Sequence, residues 1–243
     1  MFKIGVVGGI ACGKSTVTNR FKELGCGAIN ADEIAHEVIN MPEIVDQMRA
    51  RWQIDELGYT RRSGLSPCMV LASELGVRYS ICKEVNRKAV AEIVFKHPSE
   101  REFLETIMHP IIDARIRESL SLYSDVYIPA VILDIPLLFE GHWHKLCDYI
   151  IFVARDEIER ARGYMKRNRN PSGFGSDYFT EEDIDKLRNR EAFQWPLEKK
   201  KAHCHTIINN NTSLDDLHKK IDDRWEKIKP QILAAAPINK FLF

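Results

Sequence analysis

Hydrophobic residues in this chain gather in short runs separated by longer stretches with helical spacing. Five runs, at residues 3–7, 27–30, 129–134, 149–154 and 205–209, are rich in Val, Ile or Phe and predict buried strands. They are continuously apolar, as strands covered on both faces are, which predicts a parallel sheet with helices on each side. The interval between the second and third runs, about residues 35–125, is charged and mostly helical in pattern. It is too long for one crossover and predicts a helical subdomain carried on the sheet. Its last helix has a start signal in Pro98 and in Ser99 three residues before Glu102, a capping-box spacing. Leu104, Ile107, Met108, Ile111 and Ile112 then share a face, with Pro110 predicting a kink. Residues 168–177 read as a mobile loop. Leu214, Leu217, Ile221, Trp225 and Ile228 predict a further amphipathic helix, and the apolar segment Ile232 to Phe243 either packs on the core or serves self-association.

The length of 243 residues suits one sizeable α/β core with an inserted subdomain. Lys+Arg and Asp+Glu both number 35, and a zero net charge is unlike that of most nucleic-acid binders, although a local basic patch stays open. The six cysteines contain no CxxC pair, which argues against a zinc ribbon or a disulfide framework and fits a reducing cytosol. The apolar start Phe2 to Val7 is too short for a signal peptide, and no run approaches the roughly 20 residues of a membrane helix. These features predict a cytoplasmic protein without nucleic-acid or membrane partners; they leave the oligomeric state open.

The chemistry begins at Gly8-Gly9-Ile10-Ala11-Cys12-Gly13-Lys14-Ser15, a complete G-x-x-x-x-G-K-[ST], followed by Thr16. It lies between a predicted strand and a predicted helix, the setting the motif requires. Glycines let successive N–H groups face one centre, and the helix N-terminus adds partial positive charge. Gly8, Gly9, Ala11, Cys12, Gly13, Lys14, Ser15 and Thr16 are therefore expected to hold ATP phosphates. Lys14 would reach the β and γ phosphates, and Ser15 would ligate Mg²⁺. Cys12 is either a small filler of the loop or a redox-sensitive thiol.

Two carboxylates stand at strand ends. Asp32 follows the second run, where a doubly wound sheet opens its ligand crevice, and could orient a substrate hydroxyl; the alternative is an N-cap for residues 33–39. Asp134 ends the run Val131-Ile132-Leu133 and is placed to hold Mg²⁺ directly or through water; the alternative is a turn-starting Asp before Pro136. His142-Trp143-His144 and His203-Cys204-His205 lack a second ligand cluster and read as surface or packing residues. Lys199-Lys200-Lys201 reads as a solvated helix face.

Three further segments carry a family resemblance. Asp134-Ile135-Pro136-Leu137-Leu138-Phe139-Glu140 resembles the D-x-PLLFE signature of dephospho-CoA kinases, and Phe103-Leu104-Glu105 with His109-Pro110-Ile111 resembles their HP-x-I region. Asn86-Arg87-Lys88-Ala89-Val90 with Val94-Phe95 is similar to another of their stretches, as are Gly8 to Ile34, Gln194 and Ile208 to Asn211. The resemblance spans nearly the whole chain in order. It implies a P-loop three-layer α/β/α fold with a five-stranded parallel sheet. The nucleotide-binding core would comprise 1–38, 125–155 and 196–243, with a helical CoA-binding insert over 39–124 and a helical lid over 156–195. It implies transfer of the γ-phosphate of ATP to the ribose 3′-hydroxyl of dephospho-CoA. Asp32 would position that hydroxyl, Arg87, His109, Pro136 and Leu137 would line the acceptor pocket, and Arg162 and Arg167 would contact the transferring phosphate. Asn30 departs from the family in standing where an acid is common, residues 52–85 and 168–177 are extended, and Arg162 and Arg167 are five apart rather than four, with Lys166 at the usual spacing. Either arginine could instead be a solvated face residue.

Two other readings remain at this point. One is a P-loop kinase for a nucleoside or nucleoside monophosphate. The other is a GTPase-like switch or non-catalytic nucleotide-binding module, although a guanine-specifying N-K-x-D is absent: Asn239-Lys240 is followed by Phe241-Leu242.

Overall fold

The computed structural model describes residues 1–52, 60–61, 83–125, 128–168 and 180–235. In chain order the elements are β1 (Phe2–Gly8), α1 (Lys14–Glu23), β2 (Gly27–Asn30), α2 (Ala31–Val38) and α3 (Pro42–Trp52). The short strands β3 (Thr60–Arg61) and β4 (Lys83–Glu84) follow, then α4 (Arg87–Lys96), α5 (Pro98–Asp125) and β5 (Ala130–Asp134). The chain continues with a 3₁₀ turn (Trp143–Leu146), β6 (Tyr149–Ala154), α6 (Glu157–Asn168) and α7 (Glu181–Glu191). It closes with α8 (Leu197–Ala202), β7 (Thr206–Asn209) and α9 (Leu214–Ala235). The extension at 52–85 and the loop at 168–177 lie largely outside the described residues, as does the terminal segment beyond Ala235.

The chain divides into two units, Met1–Asp32 with Ile116–Phe243, and Glu33–Arg115. In the first, five strands form a sheet in the order β2-β5-β1-β6-β7, with β1–β5, β1–β6, β2–β5 and β6–β7 all parallel. These are the five strands that the apolar runs predict. One face is fixed by alternation: Ile4 and Val6 of β1, Ile132 of β5 and Ile151 and Val153 of β6 bury against Val17 and Phe21 of α1 and Leu217, Ile221 and Trp225 of α9. Phe21 meets the Trp225 ring edge-on at 6.1 Å. On the other face α8 packs along β1, and Leu138 and Cys147 close over Gly5. A Cβ on Gly5 would stand 2.8 Å from Leu138, so this glycine makes room for the layer above it.

In the second unit, Val38, Ile44, Val45, Met48, Val85, Val90 and Met108 form a separate buried cluster. Leu104, Ile107, Ile111 and Ile112 pack on it, the face that the α5 periodicity predicts. Glu100 takes both Arg51 and the Trp52 indole, and the Arg51 guanidinium holds its carboxyl down at about 2. The helix α5 starts at Pro98, as the proline signal predicts, but its cap differs from expectation. Pro98 is its first residue and the His97 carbonyl accepts from Arg101 N–H, so the entry uses proline at the first helical position rather than a capping box on Ser99. The helix is continuous through Pro110.

Candidate active site

The loop after β1 is built by tying down its carbonyls. Lys14 Nζ donates to Gly8 O at 3.1 Å and to Gly9 O at 2.9 Å. Arg155 Nη1 donates to Ala11 O at 3.4 Å, and Asn210 Nδ2 to Cys12 O at 2.8 Å. Gly13 O accepts from the N–H groups of Thr16 and Val17 at 3.1 Å each. In a trans peptide the carbonyl and the next N–H point in opposite directions. Tying the Cys12 and Gly13 carbonyls therefore turns the Gly13 and Lys14 N–H groups the other way, which is how an anion-binding concavity arises at a helix N-terminus. Gly13 sits at φ 100°, and a Cβ there would also strike the Asn210 amide, so both conformation and space require glycine. Ala11 takes φ 57°, an uncommon conformation for a residue with a Cβ, and Arg155 holds its carbonyl in place.

Lys14 has three N–H donors, two of them spent on Gly8 and Gly9, which leaves one for a phosphate oxygen. Ser15 is exposed in the first turn of α1, Thr16 is half-buried, and Cys12 is fully buried. Asp134 ends β5, paired in register with Val6 on one side and Asn30 on the other. It is buried, and Oδ2 accepts from the Thr18 hydroxyl at 3.2 Å. Asp32 is exposed one residue inside α2. The helix starts at Ala31, not after Asp32, and Asn30 Oδ1 accepts the Asp32 N–H at 2.9 Å, so Asn30 does the capping and the Asp32 carboxylate is not used for it.

The segment Pro136 to Glu140 is woven into the same unit. Leu138 and Phe139 are buried, Leu137 is 36% exposed, and Phe139 stacks on Trp195 at 5.4 Å. Glu140 Oε1 accepts from Trp195 N–H at 2.6 Å and pairs with Lys200 Nζ at 3.0 Å. Lys200 also donates to Gln194 Oε1 at 2.9 Å and Pro136 O at 3.3 Å. The expectation of a solvated lysine face fails here, because Lys200 is fully buried in α8. Burial pushes its ammonium below the ordinary lysine range, and Glu140 opposes that shift. His144 and His203 pack around Phe139, and His205 Nδ1 accepts from Ile150 N–H.

A sequence profile of the dephospho-CoA kinases matches residues 2–68 and 81–216. The chain belongs to the dephospho-CoA kinase family. It is 31% identical over 220 residues to a dephospho-CoA kinase of Synechococcus sp. (strain CC9902), covering 90% of this chain and 94% of that one. It is likewise 31% identical over 218 residues to one from Geobacillus kaustophilus, covering 90% and 92%. Among solved structures, TT1252 from Thermus thermophilus superposes with a TM-score of 0.65 at 24% identity, covering 93% and 97%. The dephospho-CoA kinase from Campylobacter jejuni gives 0.59 at 23%, covering 94% and 98%. Both show the shared fold, the P-loop α/β architecture expected from the sequence.

Within this family member the other expected residues are placed as follows. Arg162 is exposed on α6 and donates to Glu159 at 2.6 Å, and Arg167 is exposed near the end of that helix. Arg87 is exposed in the second unit, 3.0 Å from His36 Nδ1, and His109 is exposed on α5. The arginines that reach the phosphate loop are others, Arg155 and the buried Arg160, which pairs with Glu191. Sequence reasoning missed both, together with Glu191 and the loop-facing role of Asn210. Only Asn210 left a signal, standing one residue past a predicted strand.

Among the described residues no cluster of three or more His, Cys, Asp or Glu could hold a metal ion. This donor set, one acid with hydroxyls, fits Mg²⁺ shared with phosphates rather than a metal caged by protein ligands.

Proposed function

We propose that this chain transfers the γ-phosphate of ATP to the ribose 3′-hydroxyl of dephospho-CoA, giving coenzyme A and ADP. The observation that carries this reading is the family match through residues 2–68 and 81–216, which takes in both the phosphate loop and Pro136–Glu140. A phosphate loop alone would suit many kinases.

The loop N–H groups and Lys14 hold the ATP phosphates. Ser15 and Asp134 hold Mg²⁺, Asp134 directly or through water, and the ion when bound offsets charge on the phosphates. Asp32 orients the acceptor hydroxyl and takes its proton late, since the transition state is loose and little is gained by early deprotonation. Arg87 and His109 serve acceptor binding, and Leu137 is the exposed side chain of its segment available to it. Residues 156–195 act as a lid that excludes water, with Arg162 and Arg167 as the cations it brings. The free cysteines among the described residues suit a reducing cytoplasm, and no described helix is long and apolar enough to cross a membrane.

The test is product analysis by mass spectrometry with ATP, Mg²⁺ and dephospho-CoA, beside adenosine and AMP. Phosphorylation of dephospho-CoA should dominate and stop when the metal is chelated. Equal or faster phosphorylation of AMP would overturn the acceptor while leaving a P-loop kinase standing.

A further inference from the structure

One contact to the loop runs opposite to the rest. The Ile10 N–H points outward and donates to Glu191 Oε1 at 2.7 Å. The carbonyl of the same peptide, Gly9 O, accepts from Lys14 at 2.9 Å. A single rigid plane thus has its N–H held by Glu191 and its oxygen held by the loop lysine. Glu191, at the end of α7, is itself held by Arg160, which is 5% exposed and also donates from Nε to Arg155 O at 3.2 Å. Gly9 supplies an independent observation. Its φ lies outside the left-handed range, so conformation does not require glycine there. Space does: a Cβ would lie 2.5 Å from Arg160 Nη1 and 2.8 Å from Glu191 Oε1.

We propose that Glu191, fixed by Arg160, is a positioning residue that clamps the Gly9–Ile10 peptide and thereby sets the Gly9 carbonyl that aims Lys14. The inference rests on the reading of the loop as an ATP-phosphate site. It explains why a carboxylate is tolerated beside a loop that binds anions: it meets an outward N–H, and its charge is offset by the Arg160 guanidinium. It also ties the end of α7, within the lid proposed above, to the phosphate loop through one hydrogen bond.

Three variants separate the clamp from a merely structural ion pair. Glu191→Gln keeps the acceptor oxygen and loses the charge. The double variant Glu191→Ala/Arg160→Met removes the clamp without stranding a buried guanidinium. Gly9→Ala displaces the pair from the loop side. ATP dissociation constants are measured by titration calorimetry, and kcat and KM with dephospho-CoA by product mass spectrometry. Glu191→Gln should stay within about threefold of wild type in both ATP affinity and kcat. The double variant and Gly9→Ala should lose about tenfold or more in kcat and bind ATP more weakly, with KM for dephospho-CoA changed less than about twofold. If the double variant fails to fold, Gly9→Ala against Glu191→Gln carries the comparison. A folded double variant with wild-type affinity and turnover would overturn the clamp, as would Glu191→Gln falling as far as the others. Wild-type protein that binds ATP yet leaves dephospho-CoA unphosphorylated would sink the functional reading instead, and the ATP affinities would still test the clamp.

Discussion

Glu140→Gln isolates the charge of the family signature, because the amide oxygen can still accept from Trp195 N–H and from Lys200. Lys200 has three donors and three acceptors, at 2.9 Å from Gln194, 3.0 Å from Glu140 and 3.3 Å from Pro136. It is fully buried, so after the substitution an ammonium remains in the interior with neutral partners only. Removing one partner of a buried pair costs about 3–5 kcal/mol, and the retained acceptor puts this variant near the lower end, about 3 kcal/mol. For a chain of this size each kcal/mol lowers Tm by about 2–4 °C, giving a drop of about 6–12 °C near pH 7. The sign with pH follows from burial. Lys200 in the folded protein already titrates below its unfolded value, and losing the Glu140 charge lowers it further. Between that lowered value and the unfolded one, the unfolded chain binds the extra proton, so stability rises with pH and the penalty fades. The gap between variant and wild type, followed by circular dichroism melting, should therefore narrow as pH rises from neutrality toward the ordinary lysine range. Adding Lys200→Met should restore most of the loss near neutrality. A Tm change below about 3 °C, or a gap that does not vary with pH, would refute the account of Lys200 as a buried cation held by Glu140.

On the proposed phosphate role of the loop lysine, Lys14→Ala should leave the melting curve near wild type and reduce kcat by about 10³-fold or more; near-normal turnover would remove the loop from the chemistry. If the carboxylate acts on the acceptor hydroxyl as proposed, Asp32→Asn should lower kcat by about 10²-fold while ATP affinity, read by calorimetry, changes little. Asn210→Ala should weaken ATP binding by about tenfold and cost about 1 kcal/mol of stability, since Cys12 O loses its donor; unchanged ATP affinity would show that this tie does not shape the loop.

The sheet was legible because its signal is local and repeated: five apolar runs, each the length of one strand, map onto β1, β2, β5, β6 and β7. The phosphate loop was legible for the same reason, its spacing encoding a conformation that few other sequences reach. What escaped reading depends on partners distant along the chain. Lys200 sits in a run of three lysines whose local pattern says solvent, and its burial is explained by Glu140 and the Pro136 carbonyl, sixty or more residues earlier, together with Gln194. Arg160 and Glu191 are unremarkable charges on two helices until the fold sets both against Gly9. Ser99 had the spacing of a capping box, but Pro98 was as well suited to begin the helix and did so two residues before the Glu100 start that a Ser99 cap would set.

The same distinction separates the residues of the family signature by what they do in this chain. Leu138 and Phe139 are spent on packing, the first over Gly5 and the second on Trp195. Glu140 anchors Trp195 and Lys200, and Lys200 in turn holds the carbonyl of Pro136, two residues beyond Asp134. The signature thus closes on itself through α8: its last residue fixes the lysine that fixes its proline. Trp195 and Gln194 lie three or four residues beyond Glu191, whose carboxylate meets the phosphate loop at Ile10. One stretch of chain, 191–200, therefore touches the loop after β1 at one end and the loop after β5 at the other. We therefore expect a change at one end to reach the other: the stability defect in Glu140→Gln should be accompanied by weaker ATP binding in calorimetry, although the bonds of Glu140 go to Trp195 and Lys200 rather than to the phosphate loop, and unchanged ATP affinity would show the two ends to be independent.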